Sequence, residues 1–227
     1  MEGINIKMEI PEIVFLKLTS KCNNNCKYCY DSKKHPDLSL KELKKIFKLV
    51  HNNGAEAIVL TGGEPLLRKE IPEIFRAIKK CGLKIYLDTS GDFFFKYKKE
   101  IEKYVDTIGL PLDYASDKKA YRSSKNFRSV LKILKFYSET EKGPKIRIGT
   151  VVTKENIVDI EKIGQLLKKY KIDSWKIYQF IPLGPNGFTN RKSLLVNAKS
   201  FLRKTKTLEK KYSKHFKVII DVSKITI

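Results

Sequence analysis

Residues 57–88 read AIVLTGGEPLLRKEIPEIFRAIKKCGLKIYLD. The stretch opens on an apolar run, Ala57–Leu60, and breaks at Gly62-Gly63. From Ile71 to Lys80 apolar residues recur at helical spacing, and Gly82 sits where a helix C-cap is expected. Lys84–Asp88 then begins a second strand. Strand, helix and strand in such close succession define a crossover unit, because parallel neighbours need a connection long enough to return to the same end of the sheet.

The same rhythm extends in both directions. Upstream, Ile13–Leu18 reads as a strand and Ser39–Asn52 as a helix, with Ser39 and Glu42 spaced as a capping box and Leu40, Leu43, Ile46, Phe47 and Val50 on one face. Downstream, helices over Phe95–Lys103, Phe127–Ser138, Ile157–Tyr170 and Val196–Tyr212 alternate with strands over Thr107–Leu110, Ile146–Val152, Trp175–Phe180 and Phe216–Asp221. Strand followed by helix, six times over, predicts an α/β fold with a parallel sheet and outer helices. Six units are too few for a closed eight-unit barrel, which leaves an open partial barrel or a doubly wound sheet. A partial (β/α)6 TIM-like barrel is the architecture expected, as a single domain over residues 1–227 with the repeats spanning 13–221. No low-complexity segment or linker interrupts it. In either architecture the chemistry belongs at the carboxyl ends of the strands.

Composition narrows the class. Hydrophobic residues make up 41% of the 227, enough for a core without disulfide staples. The apolar runs are strand-sized and no secretory leader is evident, so a soluble, cytoplasmic protein with no membrane partner is expected. Lys and Arg number 47 against 25 acids, a net charge of +22. A field of that sign concentrates anionic partners such as nucleotides or RNA. Lysines on solvated helix faces, such as Lys41, Lys44, Lys45 and Lys48, account for the charge equally well.

Three of the four cysteines fall in the loop after the first strand, at residues 20–31: Cys22, Cys26 and Cys29, spaced C-x3-C-x2-C, with Tyr28 before the last. A structural zinc site normally takes a fourth Cys or His at paired spacing. The nearest candidate, His35, has no second ligand beside it in sequence. A cubane iron–sulfur cluster takes one ligand per iron, so three cysteines leave one iron open for substrate. Cluster and three-thiolate zinc site both remain open on the spacing alone. The fourth cysteine, Cys81, stands apart beside Gly82 and reads as a structural thiol.

One strand further on, Thr61-Gly62-Gly63-Glu64-Pro65 places two glycines where backbone must approach something closely, then a carboxylate able to accept from an ammonium group. The cysteine spacing with its aromatic, followed by this GGEP string, resembles the radical S-adenosylmethionine superfamily over roughly residues 12 to 185. The resemblance implies a [4Fe–4S] cluster on Cys22, Cys26 and Cys29. The open iron would take the amino and carboxylate groups of S-adenosylmethionine, with Gly62, Gly63, Glu64 and Pro65 near its methionyl end. Softer matches extend the cofactor set to Ser90 at the third strand end, Asp113 and Arg122 after the fourth, Asn156 after the fifth and Gln179 at the sixth. Pro111 departs from the small hydroxyl residue common at its position, and Asn156 serves equally as a helix cap.

The chemistry implied is reductive cleavage of the sulfonium to a 5′-deoxyadenosyl radical, which abstracts hydrogen from a substrate, with a one-electron reductant of flavodoxin or ferredoxin type as partner. The later segments Lys145-Ile146-Arg147-Ile148 and Ser174-Trp175-Lys176-Ile177-Tyr178-Gln179-Phe180 resemble viperin-like members, which act on a nucleoside triphosphate. Arg147 and Lys176 are therefore candidate substrate residues, against the plainer reading that both are outward-facing strand residues. A small metabolite or peptide substrate is the alternative, as is a zinc-binding module that touches nucleic acid without radical chemistry. Trp175 reads as a core aromatic.

Overall fold

The computed structural model describes residues 10–31, 35–117 and 124–222. Its centre is a seven-stranded sheet: β1 (Ile13–Thr19), β2 (Ala57–Gly62), β3 (Lys84–Asp88), β4 (Thr107–Pro111), β5 (Lys145–Val152), β6 (Ser174–Gln179) and β7 (Lys217–Asp221). Every pairing is parallel, and the strands lie in the sheet in the order in which they occur in the chain. A doubly wound sheet reverses its strand order at a switch point. Here each crossover steps one strand in the same direction, so the helices gather on one side and the sheet curls into an open partial barrel with β1 and β7 as its edges.

Alternation along the strands shows which side is which. Ile58 and Leu60, Ile85 and Leu87, Ile108, Ile146 and Ile148, and Trp175 and Ile177 are buried on the helix side. Against them pack α1 (Leu40–Asn52) through Leu43 and Phe47, α2 (Ile71–Lys80) through Ile74, Phe75 and Ile78, and α3 (Lys98–Tyr104) through Ile101. Next come α4 (Ser124–Ser138), through Val130, Ile133 and Leu134, and α5 (Ile160–Leu167), through Ile163 and Leu167. The capping box of α1 forms as expected: Ser39 Oγ accepts from Glu42 N–H while the Glu42 carboxylate accepts from Ser39 N–H at 2.8 Å. Trp175 lies in the core, its indole N–H donating to Thr150 Oγ1 at 2.9 Å, and Cys81 is half-buried against it.

The last third departs from expectation. The helix expected over Val196–Tyr212 is two, α8 (Ala198–Thr205) and α9 (Leu208–Tyr212). Asn197 caps α8 by accepting from Ser200 N–H at 2.8 Å, which delays its start. Two further short helices, α6 (Gly184–Thr189) and α7 (Arg191–Leu194), fill the stretch after β6. The segment expected as one helix from Ile157 becomes helical only at Ile160, because Asn156 turns its side chain back onto the preceding backbone. No helix among the described residues is long and apolar enough to cross a membrane.

Candidate active site

The carboxyl ends of the strands open into a cleft of about 500 Å3, and the cysteine loop forms one wall of it. Cys22 is exposed, Cys29 half-buried and Cys26 buried among Tyr28, Tyr114, Phe180 and Leu194, and none of the three is in a disulfide. The loop turns tightly, Cys29 N–H donating to Cys26 O at 3.1 Å. Tyr28 donates its phenol proton to the Asp113 carboxylate, whose other oxygen accepts from Val151 N–H at 2.9 Å. The aromatic between the cysteines is thereby tied to the ends of β4 and β5.

The two glycines are required by the chain itself. Gly62 adopts a φ of 131°, a region unfavourable to side chains, and a Cβ there would strike Thr19 O. A Cβ on Gly63 would lie 2.6 Å from the carbonyl carbon of Lys21. The close approach read from the sequence is therefore to the cysteine loop's own backbone, where Gly63 N–H donates to Thr19 O at 2.7 Å and Glu64 N–H to Lys21 O at 2.8 Å. These bonds set the cysteine loop directly beside Glu64.

Glu64 is almost wholly buried yet lines the cleft. One carboxylate oxygen accepts from Leu66 N–H at 3.1 Å and Thr89 Oγ1 at 2.6 Å, the other from Ser90 N–H at 2.7 Å. Two carboxylate oxygens offer about four acceptor directions, so three donors fix the group and leave it capacity for a further cation or N–H. Ser90 and Gln179 also line the cleft, Gln179 anchored by donation to Val196 O at 2.9 Å.

Three expected cofactor residues stand elsewhere. Pro65 opens the short 3-10 turn behind Glu64 and does not line the cleft. Asp113 lies beneath the cysteine loop, outside the lining, occupied by Tyr28 and Val151. Asn156 is fully buried: its carbonyl accepts from Thr153 N–H at 2.8 Å, and its amide donates to Asp113 O at 3.0 Å and Val151 O at 2.8 Å. In this arrangement Asn156 is a clamp on the β5 turn, and its side chain has no polar group turned to the cleft. Arg122 lies outside the described residues. Asn156→Ala should lower stability by about 3 kcal/mol, since three buried backbone groups lose partners. Urea unfolding, read as a lower midpoint at unchanged slope, checks it.

Both candidate substrate residues lie on the concave side, as strand alternation requires: Arg147 shares its face with Gly149 and Val151, and Lys176 with Tyr178. The outward-facing reading is thus excluded. Arg147 on β5 reaches across β4 to pair with Asp88 on β3. Gly109 lies between them in register, and a Cβ there would strike Asp88 and sit 2.9 Å from Arg147 Nη2. The glycine makes room for a pair spanning three strands. Lys176 pairs with Asp221 at 2.9 Å and lies 4.7 Å from the centre of the Tyr178 ring, outside the cleft lining. Burial raises the Tyr178 phenol above its ordinary pKa against the opposing pull of Arg147 and Lys176. The phenol therefore stays a proton donor at neutral pH.

Asp88, Gly109 and Tyr178 were not read from the sequence as site residues. Their signal was available: each falls at or near a strand's carboxyl end, at the alternate positions left over once the helix-facing residues are assigned. Two more were missed for a different reason. Asn186 in α6 donates to Cys26 O at 3.1 Å, and Asn190 to Lys27 O at 3.0 Å, bracing the cysteine loop from a segment at least 160 residues further along.

A parallel, openly curled βα barrel thus gathers three thiols outside any disulfide, a buried carboxylate and paired charges around one cleft. A model of the radical SAM superfamily matches residues 16–167, and the chain belongs to that superfamily. It is 29% identical over 182 residues to a protein described as Fe-coproporphyrin III synthase from Methanosarcina barkeri, covering 76% of this chain and 45% of that one. It is 27% identical over 196 residues to an S-adenosylmethionine-dependent nucleotide dehydratase from Lacinutrix mariniflava, covering 79% and 40%. Among solved structures, Streptococcus suis SuiB bound to S-adenosylmethionine superimposes with a TM-score of 0.79 at 17% identity, covering 94% of this chain and 51% of that one, a likeness of fold. The chain thus spans about half the length of these proteins or less.

Membership implies S-adenosylmethionine and an iron–sulfur cluster. The donor set fits: three thiols on one loop, none in a disulfide, line the cleft beside a fixed carboxylate. Among the described residues no three Cys, His, Asp or Glu side chains converge on a single-ion site. A cubane presents its irons at separate corners, so its thiolates need not converge.

Proposed function

We propose that this chain holds a [4Fe–4S] cluster on Cys22, Cys26 and Cys29, binds S-adenosylmethionine against Glu64, and acts on an anionic substrate of the nucleotide class in the same cleft. When bound, cluster and cofactor together supply reductive cleavage of the sulfonium to a 5′-deoxyadenosyl radical that abstracts hydrogen from substrate. The carrying observation is that the cysteine loop, Glu64 and the Asp88–Arg147 pair face one cleft. A one-electron reductant of flavodoxin or ferredoxin type completes the reaction.

The chain's own groups divide the work. Glu64, held by Thr89, Ser90 and Leu66, keeps a free acceptor direction for the cofactor's ammonium group. Gly62 and Gly63 fix the distance between that carboxylate and the thiols. Asp88 takes only Nη2 of Arg147, leaving the guanidinium other donors for a phosphate oxygen, and Lys176 keeps two N–H donors beyond the one it gives Asp221. Phe180 and Tyr28, both buried at the cleft wall, exclude water. The relative described as a nucleotide dehydratase supports the substrate class.

The test is anaerobic reconstitution with iron and sulfide, followed by incubation with S-adenosylmethionine and dithionite. Release of 5′-deoxyadenosine checks the cofactor chemistry. Equilibrium titration of the cofactor-loaded protein with nucleoside triphosphates checks the substrate. Arg147→Gln should weaken binding by on the order of tenfold or more, the value of a hydrogen bond to a charged group. Cleavage without binding of any nucleotide would overturn the substrate class and leave the cofactor chemistry standing.

A further inference from the structure

The outside of the cysteine loop carries a second feature. Asn186 and Asn190 bond the carbonyls of Cys26 and Lys27, so α6 and α7 lie directly against the loop. From this junction a patch spreads over the surface by contacts that can be followed one by one. Phe188 is 59% exposed, and the Arg191 guanidinium lies 3.9 Å from the centre of its ring while donating to Phe188 O at 2.8 Å. The exposed Lys154 donates to the carbonyl of the exposed Lys192 at 3.2 Å. Lys27, also exposed, has Glu155 at 3.9 Å, and that glutamate is the acid in the group.

An exposed aromatic with an arginine over its ring, and exposed lysines on the adjoining segments, has the composition of a docking site: an apolar anchor, charged groups and donors for carboxylates. Its position singles out the partner. The patch is continuous with the backbone of the loop that carries the three thiols, and electron transfer falls steeply with distance. A carrier serving a centre on that loop must dock close to it. We infer that Phe188, Arg191, Lys192, Lys154 and Lys27 form the docking surface for an acidic one-electron carrier protein of the flavodoxin or ferredoxin class. The inference rests on the function proposed above and says where on the surface the reductant named there docks. The carrier, in its reduced form, gives up one electron to the cluster and leaves oxidised by one electron. No bond is made or broken in the step. The chain's charge of +22 favours encounter with an acidic partner from any direction, and the patch selects where it settles.

The experiment uses the reconstituted protein and, separately, the same protein without its cluster. Each is titrated calorimetrically with a recombinant flavodoxin and with a ferredoxin, and the complexes are cross-linked and mapped by mass spectrometry. Lys192→Glu and Phe188→Ala are compared with Lys44→Glu, which makes the same charge change on exposed α1. Lys192→Glu and Phe188→Ala should each weaken carrier binding about fivefold to tenfold. Lys44→Glu should have a much smaller effect, and cross-links should fall on 188–192 and 154. Raising the salt concentration should narrow the gap between Lys192→Glu and the parent. Reduction of the cluster by dithionite, which needs no docking, should be unchanged in all three variants.

Equal losses in the three variants, cross-links elsewhere, self-association through the patch, or preference of the patch for an RNA oligonucleotide over both carriers would overturn the inference. A protein that binds the carrier at this patch but takes up no iron would defeat the proposed function and leave the docking surface standing. One that forms its cluster while the carrier ignores Phe188 and Lys192 would do the reverse.

Discussion

Cys26→Ala protein, reconstituted with iron and sulfide under argon, should emerge without the broad thiolate-to-iron absorption band and release no 5′-deoxyadenosine above a protein-free control. The expected loss is complete because, in the function proposed, the Cys26 thiolate would bond an iron directly and alanine offers no ligand in its place. The fold should survive. Cys26 O, which accepts from Cys29 N–H and from Asn186, is backbone and stays in place. Alanine is small and apolar, so it suits the pocket among Tyr28, Tyr114, Phe180 and Leu194 at a stability cost of about 1 kcal/mol. Thermal unfolding of the apo form separates the two effects. A melting temperature close to the parent's, with no iron bound, is the expected pair of readings. Full iron content in this variant would show that the cluster sits elsewhere.

Gly63→Ala should act on the same centre from outside it. The new Cβ meets the peptide of Lys21, backbone against backbone, so neither side can yield by rotating a side chain. Either β2 or the cysteine loop must move, and the Gly63–Thr19 and Glu64–Lys21 bonds lengthen or break. Overpacking of this kind costs about 1–3 kcal/mol, and in a chain of this size each kcal/mol lowers the melting temperature by roughly 2–4 °C. Iron uptake should fall as well, because the loop is displaced relative to Glu64. A protein with parental stability and parental iron content would show that the loop tolerates the shift.

How legible all this was in the sequence depended on the range of the forces concerned. Strands and helices with clean periodicity appeared where expected, as with Ile71–Lys80, because local pattern and tertiary burial agree there. The choice between a doubly wound sheet and a partial barrel is not a local property. It lies in strand order, which the repeat itself does not encode. Cys22, Cys26, Cys29 and Glu64 could be picked out because their motifs are short and local, and Arg147 because its segment resembles that of viperin-like members. Asp88 and Gly109 carried only the positional signal of lying at or near strand ends, since the pair that Gly109 makes room for arises when β3, β4 and β5 lie side by side. Asn156 reads as a cofactor contact or a helix cap, and only the folded chain shows its side chain tying the turn after β5 to Asp113. The helix expected over Val196–Tyr212 failed for a more ordinary reason: Asn197 offers its side chain as a cap and wins over the apolar spacing.

The bonds from Asn186 and Asn190 to the carbonyls of Cys26 and Lys27 join chain positions separated by most of the barrel. During synthesis the thiols leave the ribosome 160 residues ahead of their brace. A growing chain that has not reached Asn190 displays its cysteines without two of the bonds that shape their loop, so a metallocentre placed there is fully supported only once α6 and α7 have emerged. Damage to α6 would accordingly be felt at the cysteine loop, far from it along the chain.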